Sequence, residues 1–205
     1  LINGQTGLLL TNSSTAFVGS RLSINGSQDD GVRIDSDSSA TSLGNITSFN
    51  NQRYGVFVDG TLGALTGSNI HNNGATGVYL FNPGSVSVEA NEIYNNTGDG
   101  IYVRGSGTVG NLDLSLGRGN LIHDNAHHGI QAHDNVIIAG NTIFGHVAEP
   151  RAGLYLTGFS GLGPQAIQNV VYDNYSGIHD TFSQSQIEHN RVYNNSNLGI
   201  TTAGS

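Results

Sequence analysis

A Gly followed by Ile, Val or Leu occurs at Gly7, Gly31, Gly55, Gly77, Gly100, Gly129, Gly153, Gly177 and Gly199, at intervals of 24, 24, 22, 23, 29, 24, 24 and 22 residues. A period in the twenties kept through nine copies means stacked repeats, each unable to bury its apolar side alone. The clearest copy, residues 91–104, reads Asn-Glu-Ile-Tyr-Asn-Asn-Thr-Gly-Asp-Gly-Ile-Tyr-Val-Arg. It holds short apolar runs at Ile93 and at Ile101 and Val103, separated by the turn formers Asn95 to Asp99.

A third apolar run precedes most copies: Val86 and Val88, Val136 to Ile138, Ala166 and Ile167, and Ile187. Three short strands joined by turns give a triangular coil, and coils stacked in register pair as parallel strands about 4.8 Å apart. Within each strand the side chains alternate, so Ile101 and Val103 point inward while Tyr102 and Arg104 point outward. No window keeps a 3.6-residue period over helix length, which excludes helical solenoids. The expected fold is all-β, with about nine coils of three strands in one domain spanning 1–205. The long interval between Gly100 and Gly129 contains an enlarged turn, with a strand candidate at Leu112, Leu114 and Leu116.

Asparagine recurs at two phases. Asn91, Asn120, Asn141, Asn169 and Asn190 occupy one; Asn51, Asn73, Asn96, Asn125, Asn174 and Asn195 occupy the other. Stacked amides bond to their copies in neighbouring coils, and asparagine also tolerates left-handed turns; the spacing fits both explanations.

The pattern Asn-x-Ile-Tyr-Asn-Asn-x-x-x-Gly-Ile-x-Val, nearly whole over 91–103 and again over 190–200, resembles the right-handed parallel β-helix repeat. Pectate-lyase-like proteins, periplasmic NosD proteins of the copper pathway, mannuronan epimerases and many bacterial surface proteins share it. The resemblance covers essentially the whole chain. It implies the fold and leaves function open, because one solenoid hosts many activities.

The enzymatic members imply acid polysaccharides as substrates, and chemistry that needs a base and a cation against the uronate. The signatures expected of epimerases, pectate lyases and polygalacturonases are missing, and the chain has no Lys. The best acidic candidates are Asp35, Asp37 and Asp59. Asp35 and Asp59 share an outward position on adjacent coils, with carboxylates expected on the order of 5 Å apart. Ca²⁺ would relieve their repulsion, as would Arg33 through a salt bridge. His123, His127, His128 and His133 cluster in one copy, but outward residues on different faces do not converge on a metal. His71 and His123 instead share a column with Phe49, Tyr94, Phe144, Tyr172 and Tyr193, as flat rings in a stack.

The outward column of the Gly-Ile-x-Val strand reads Leu9, Arg33, Phe57, Tyr79, Tyr102, Gln131, Tyr155, His179 and Thr201. Two residues on come Asp35, Asp59, Phe81, Arg104, His133 and Thr157. Phe57, Tyr79, Phe81, Tyr102 and Tyr155 therefore form an aromatic stripe on which a polysaccharide or cell-surface glycan could stack, with Asp59 and Arg104 bonding its hydroxyls. The competing explanation is cross-strand stabilisation.

The formal charge of −8 argues against nucleic acid as a partner. Without Cys there are no disulfides or thiolate ligands. No run of 18 apolar residues is present to span a membrane. Solenoid ends need capping, and none is visible, so the chain is expected to be a segment of a longer solenoid or a unit stacking end to end on like copies. These features point to an extracellular or cell-surface protein, bacterial or archaeal, with a structural or adhesive role. A polysaccharide-active enzyme and a filament subunit are the alternatives.

Overall fold

The computed structural model describes residues 5–158, 163–181 and 184–203. The strands wind into a parallel β-solenoid with three sheets. The first sheet has nine strands, from Leu8–Leu10 to Leu198–Thr202. The second, from Phe17–Ser20 to Gln186–Glu188, and the third, from Ser23–Asn25 to Arg191–Tyr193, have eight each. The count is thus eight complete coils plus one further strand of the first sheet, and every pairing is parallel. Among the described residues no strand pairs with its neighbour in sequence, so the ladder hydrogen bonds of each coil run to the coils beside it.

The core is a set of inward columns. Val56, Val78, Ile101, Ile130 and Leu154 stack in the first sheet, Leu65, Val88, Val109 and Ile138 in the second, and Ile70, Ile93, Ile122 and Ile143 in the third, all with no exposed surface. Each such side chain contributes about 1.5–3 kcal/mol by leaving water. The recurrent glycine completes this packing. A Cβ on Gly77 would lie 2.7 Å from Ile93 Cγ2 and 2.8 Å from the carbonyl oxygen of Gly100. No other residue fits between these rungs.

The two explanations for asparagine hold at adjacent positions. In the pair Asn95-Asn96 the first residue takes the left-handed conformation, with φ 53°, and the second joins a buried amide row. Asn96 Nδ2 donates to Asn125 Oδ1 at 2.9 Å, and its Oδ1 accepts from both Asn73 N–H at 3.0 Å and Asn73 Nδ2 at 2.9 Å. The other row runs through Asn91, Asn120, Asn141, Asn169 and Asn190 in the same way. Ser27 and Ser68 stand at ladder positions in the early coils, their N–H groups donating to Asn51 and Asn91.

The strand expected at Leu112, Leu114 and Leu116 is not one. Leu114–Leu116 is a 3-10 turn capped by Asp113, and all three leucines are about half exposed. The second-sheet strand of that coil is Gly107–Gly110, with Val109 inward. Gly110, at φ 95°, then turns the chain out into a loop over 111–118.

On the third sheet the expected ring column is continuous. Phe49, His71, Tyr94, His123, Phe144, Tyr172 and Tyr193 stack with centroids 4.8–5.1 Å apart and planes within 16° of parallel.

Candidate functional site

The outer face of the first sheet presents the expected columns. Leu9, Arg33, Phe57, Tyr79, Tyr102, Gln131, Tyr155, His179 and Thr201 are register partners on successive strands, and so are Phe81, Arg104, His133 and Thr157. Phe57, Tyr79 and Tyr102 stack at 5.5 and 4.5 Å with planes within 9°. Tyr54, from the turn before the strand, adds a fourth ring 5.0 Å from Tyr79. The Arg33 guanidinium lies 4.5 Å over Phe57, and that of Arg104 lies 5.3 Å over Phe81. The inner rings therefore spend their faces on one another and turn edges and phenol groups outward. A ligand on this surface meets a rail of edges and hydroxyls.

Tyr155 is separated from Tyr102 by Gln131 and stacks instead on His128 at 4.7 Å. His133 leans on Tyr102 at 5.0 Å, and its Nε2 lies 2.9 Å from Gln131 Nε2. Arg104 reaches Asp134 at 3.6 Å.

A turn beside this rail brings in groups that the spacing did not indicate. Asp99 is buried, and its Oδ1 accepts the His128 N–H at 2.9 Å. Burial raises its carboxyl to about 6, against the opposing pull of that hydrogen bond and of Arg151. His128 is also buried, with Nδ1 accepting the Ala152 N–H at 3.0 Å. Burial first, and then Arg151, push its imidazole down to about 3, so it stays neutral at ordinary pH. Burial lifts Tyr79 to about 12, aided by Tyr102 and Tyr54, and also raises Tyr102. Turn side chains do not follow the two-residue alternation of strands, so alternation could not place Asp99 and His128 on this face.

Asp35 and Asp59 follow register-paired strands, with Asp59 N–H bonded to Ile34 O at 2.9 Å. Asp35 is bound to Arg33, Oδ1 to Nε at 2.6 Å, and Arg33 also reaches Asp30 at 3.2 Å. Asp37 accepts from Ser13 N–H and Ser38 Oγ. Among the described residues no three His, Asp or Glu side chains gather so as to hold a metal ion. The histidines separate: His71 and His123 into the ring stack, His133 and His179 onto the first sheet, and His146 into an amide row.

The sequence matches the family described as the right handed beta helix region over residues 6–166. The chain belongs to that family. This right-handed β-helix is similar in fold to the mannuronan C-5 epimerase AlgE4 A-module of Azotobacter vinelandii. The TM-score is 0.66 at 15% identity, over 98% of this chain and 70% of that one. It is similar also to a mutant of the periplasmic alginate epimerase AlgG, with TM-score 0.50 and 17% identity, over 98% of this chain. There the β-helix spans only 43% of the other chain. At such identities the likeness concerns fold alone. Comparison with curated proteins finds no match.

Proposed function

We propose that this β-helix is an extracellular structural or adhesive element that contacts a glycan along its first sheet. The observation that carries the reading is the unbroken register of outward Phe57, Tyr79 and Tyr102 beside Phe81 and Arg104. Edges and phenol groups at a regular spacing suit a long polymer of hydroxylated rings, and Arg104, Gln131 and Tyr155 extend the contact. Two solved structures of similar fold are named as epimerases of mannuronan or alginate, which supports a polysaccharide as the ligand class. No helix among the described residues is long and apolar enough to cross a membrane. Retention on immobilised polysaccharide tests the reading. Tyr79→Ala with Tyr102→Ala should abolish retention while leaving the circular dichroism spectrum unchanged; undiminished retention removes the proposal.

A second reading, catalysis on a uronate polymer, is favoured by buried Asp99, which accepts the His128 N–H at 2.9 Å and whose carboxyl burial raises to about 6. This corner replaces Asp35 and Asp59 as the place for acid–base work, since Arg33 holds Asp35. Ca²⁺ at Asp35 and Asp59 would have to displace Arg33 from Asp35. Incubation with uronate polysaccharides, with and without Ca²⁺, tests both. Unsaturated product absorbing in the ultraviolet, lost in Asp99→Asn, would establish catalysis and end the non-catalytic reading.

A further inference from the structure

The second sheet carries an open groove of about 560 Å³ on its outer face, away from the stripe of the first sheet. Its floor is the column Ser87, Thr108 and Ile137, register partners on three successive coils. Ser85 and Asn135 form one margin and Leu112 the other. The groove owes its far wall to the turn at Gly110. Gly107 and Gly110 flank Thr108 and line the groove, and Gly110, at φ 95°, turns the chain outward so that Leu112 becomes a wall, half exposed. A Cβ on Gly107 would lie 2.6 Å from Val86 O, and one on Gly110 would overlap Ala139 O.

We propose that this groove is a second binding site, for a neutral oligosaccharide. Its lining consists of hydroxyls and amides with apolar patches from Leu112 and Ile137, and the charge that borders it is negative, the Glu89 carboxylate accepting from Ser87 Oγ at 3.2 Å and from Asn111 Nδ2 at 2.9 Å. A polyanion finds no cation there, and the chain as a whole carries −8. A peptide cannot join as an added strand, because the backbone groups of Val86–Glu89, Gly107–Gly110 and Val136–Ala139 are paired with one another. A lipid or other apolar ligand would bury hydroxyls and amides without partners. A sugar ring offers what remains: hydroxyls at its rim for Ser85, Ser87, Thr108 and Asn135, and an apolar C–H face for Leu112 and Ile137. The volume lies within the range of small-molecule sites and accommodates about two or three sugar units. This inference is independent of the glycan reading of the first sheet.

Titrating the full chain with maltotriose, cellotriose and mannotriose, followed by amide chemical shifts, tests it. At least one of the three should move the resonances of Ser87, Thr108 and Leu112, with Kd of about 1 mM or tighter. Thr108→Ala with Leu112→Ala should weaken that binding about tenfold. Both side chains reach the surface, so melting should be unaffected. Tyr102→Ala should leave the affinity unchanged, which separates this groove from the first sheet. The shift map on the unaltered chain stands without any variant. Three results would each overturn the site: no movement of these resonances at about 10 mM sugar, equal affinity for trigalacturonate at the same residues, or full affinity in a folded double variant.

Discussion

The imidazole of His146 takes an asparagine's place in a buried row, its Nδ1–H donating to Asn174 Oδ1 at 2.9 Å. Its Nε2 faces the Asn125 amide nitrogen at 3.3 Å and accepts from it. The neutral ring with its proton on Nδ1 satisfies both neighbours. A second proton would set donor against donor in a site with no exposed surface.

Acid should therefore weaken the fold through this residue. Burial holds His146 at about 4, below the ordinary 6.5, with Asn174 and Asp124 acting in the opposite sense. As pH falls the unfolded chain takes the proton first. The stability tied to the neutral ring is intact above about 6.5 and disappears progressively down to about 4. In His146→Asn, the loss of unfolding free energy between pH 7 and pH 5 should shrink by about 2 kcal/mol. Urea denaturation at the two pH values measures it, and an identical pH dependence in the two proteins would refute it.

The adjacent residues Asn95 and Asn96 should respond differently to the same substitution. Asn96→Ala removes an acceptor from Asn73 and leaves the carbonyl of Ile70, bonded to Asn96 Nδ2 at 3.2 Å, without its donor. A cost of about 3 kcal/mol or more is expected. Asn95 is exposed and contributes its left-handed φ of 53°. Asn95→Ala should cost about 1 kcal/mol and Asn95→Gly almost nothing. Equal costs for the two alanine variants, by chemical denaturation, would contradict the division.

Gly100 should tolerate no side chain. An added Cβ would stand 2.6 Å from both Gly129 O and Ile122 Cγ2, between two coils held in register on both sides. Gly100→Ala is expected to lower stability by about 3 kcal/mol or to prevent folding. A thermal midpoint within a degree or two of the parent would be incompatible with this packing.

The seven-ring stack should be measurable pair by pair. Tyr94 and His123 lie 5.0 Å apart with planes 1° from parallel. A double-mutant cycle to alanine is expected to give a coupling of about 0.5–1.5 kcal/mol. No coupling would mean the rings are neighbours without mutual stabilisation.

The phase of Gly-Ile-x-Val was enough to read the first sheet, because side chains alternate strictly and the period returns each residue to its column. The same reasoning failed at Leu112, Leu114 and Leu116. Their alternation mimics a strand, but Gly110 leaves the coil before them and Asp113 caps a short turn. Strands Ser39–Gly44 and Thr61–Thr66 carry no two-residue alternation to read, because their buried residues, Ala40 with Leu43 and Leu62 with Leu65, stand three apart. Asp180 is a subtler case. It stands inward opposite Leu156, buried and bonded to Ser185 Oγ at 2.8 Å, where the column pattern calls for an apolar residue. The stripe was legible as a set of positions, whereas the direction of its rings depends on packing between coils.

The amide rows act as a gauge for the molecule. Asn91 and Asn120 are 29 residues apart and Asn120 and Asn141 only 21, yet their Nδ2 to Oδ1 distances are 3.0 and 2.8 Å. Axial rise is thus metered by the rungs and is indifferent to how much chain lies between them. Such a scaffold can lengthen a loop, as it does over 111–118, without disturbing the columns on either side. It can gain or lose length along its axis only in whole turns.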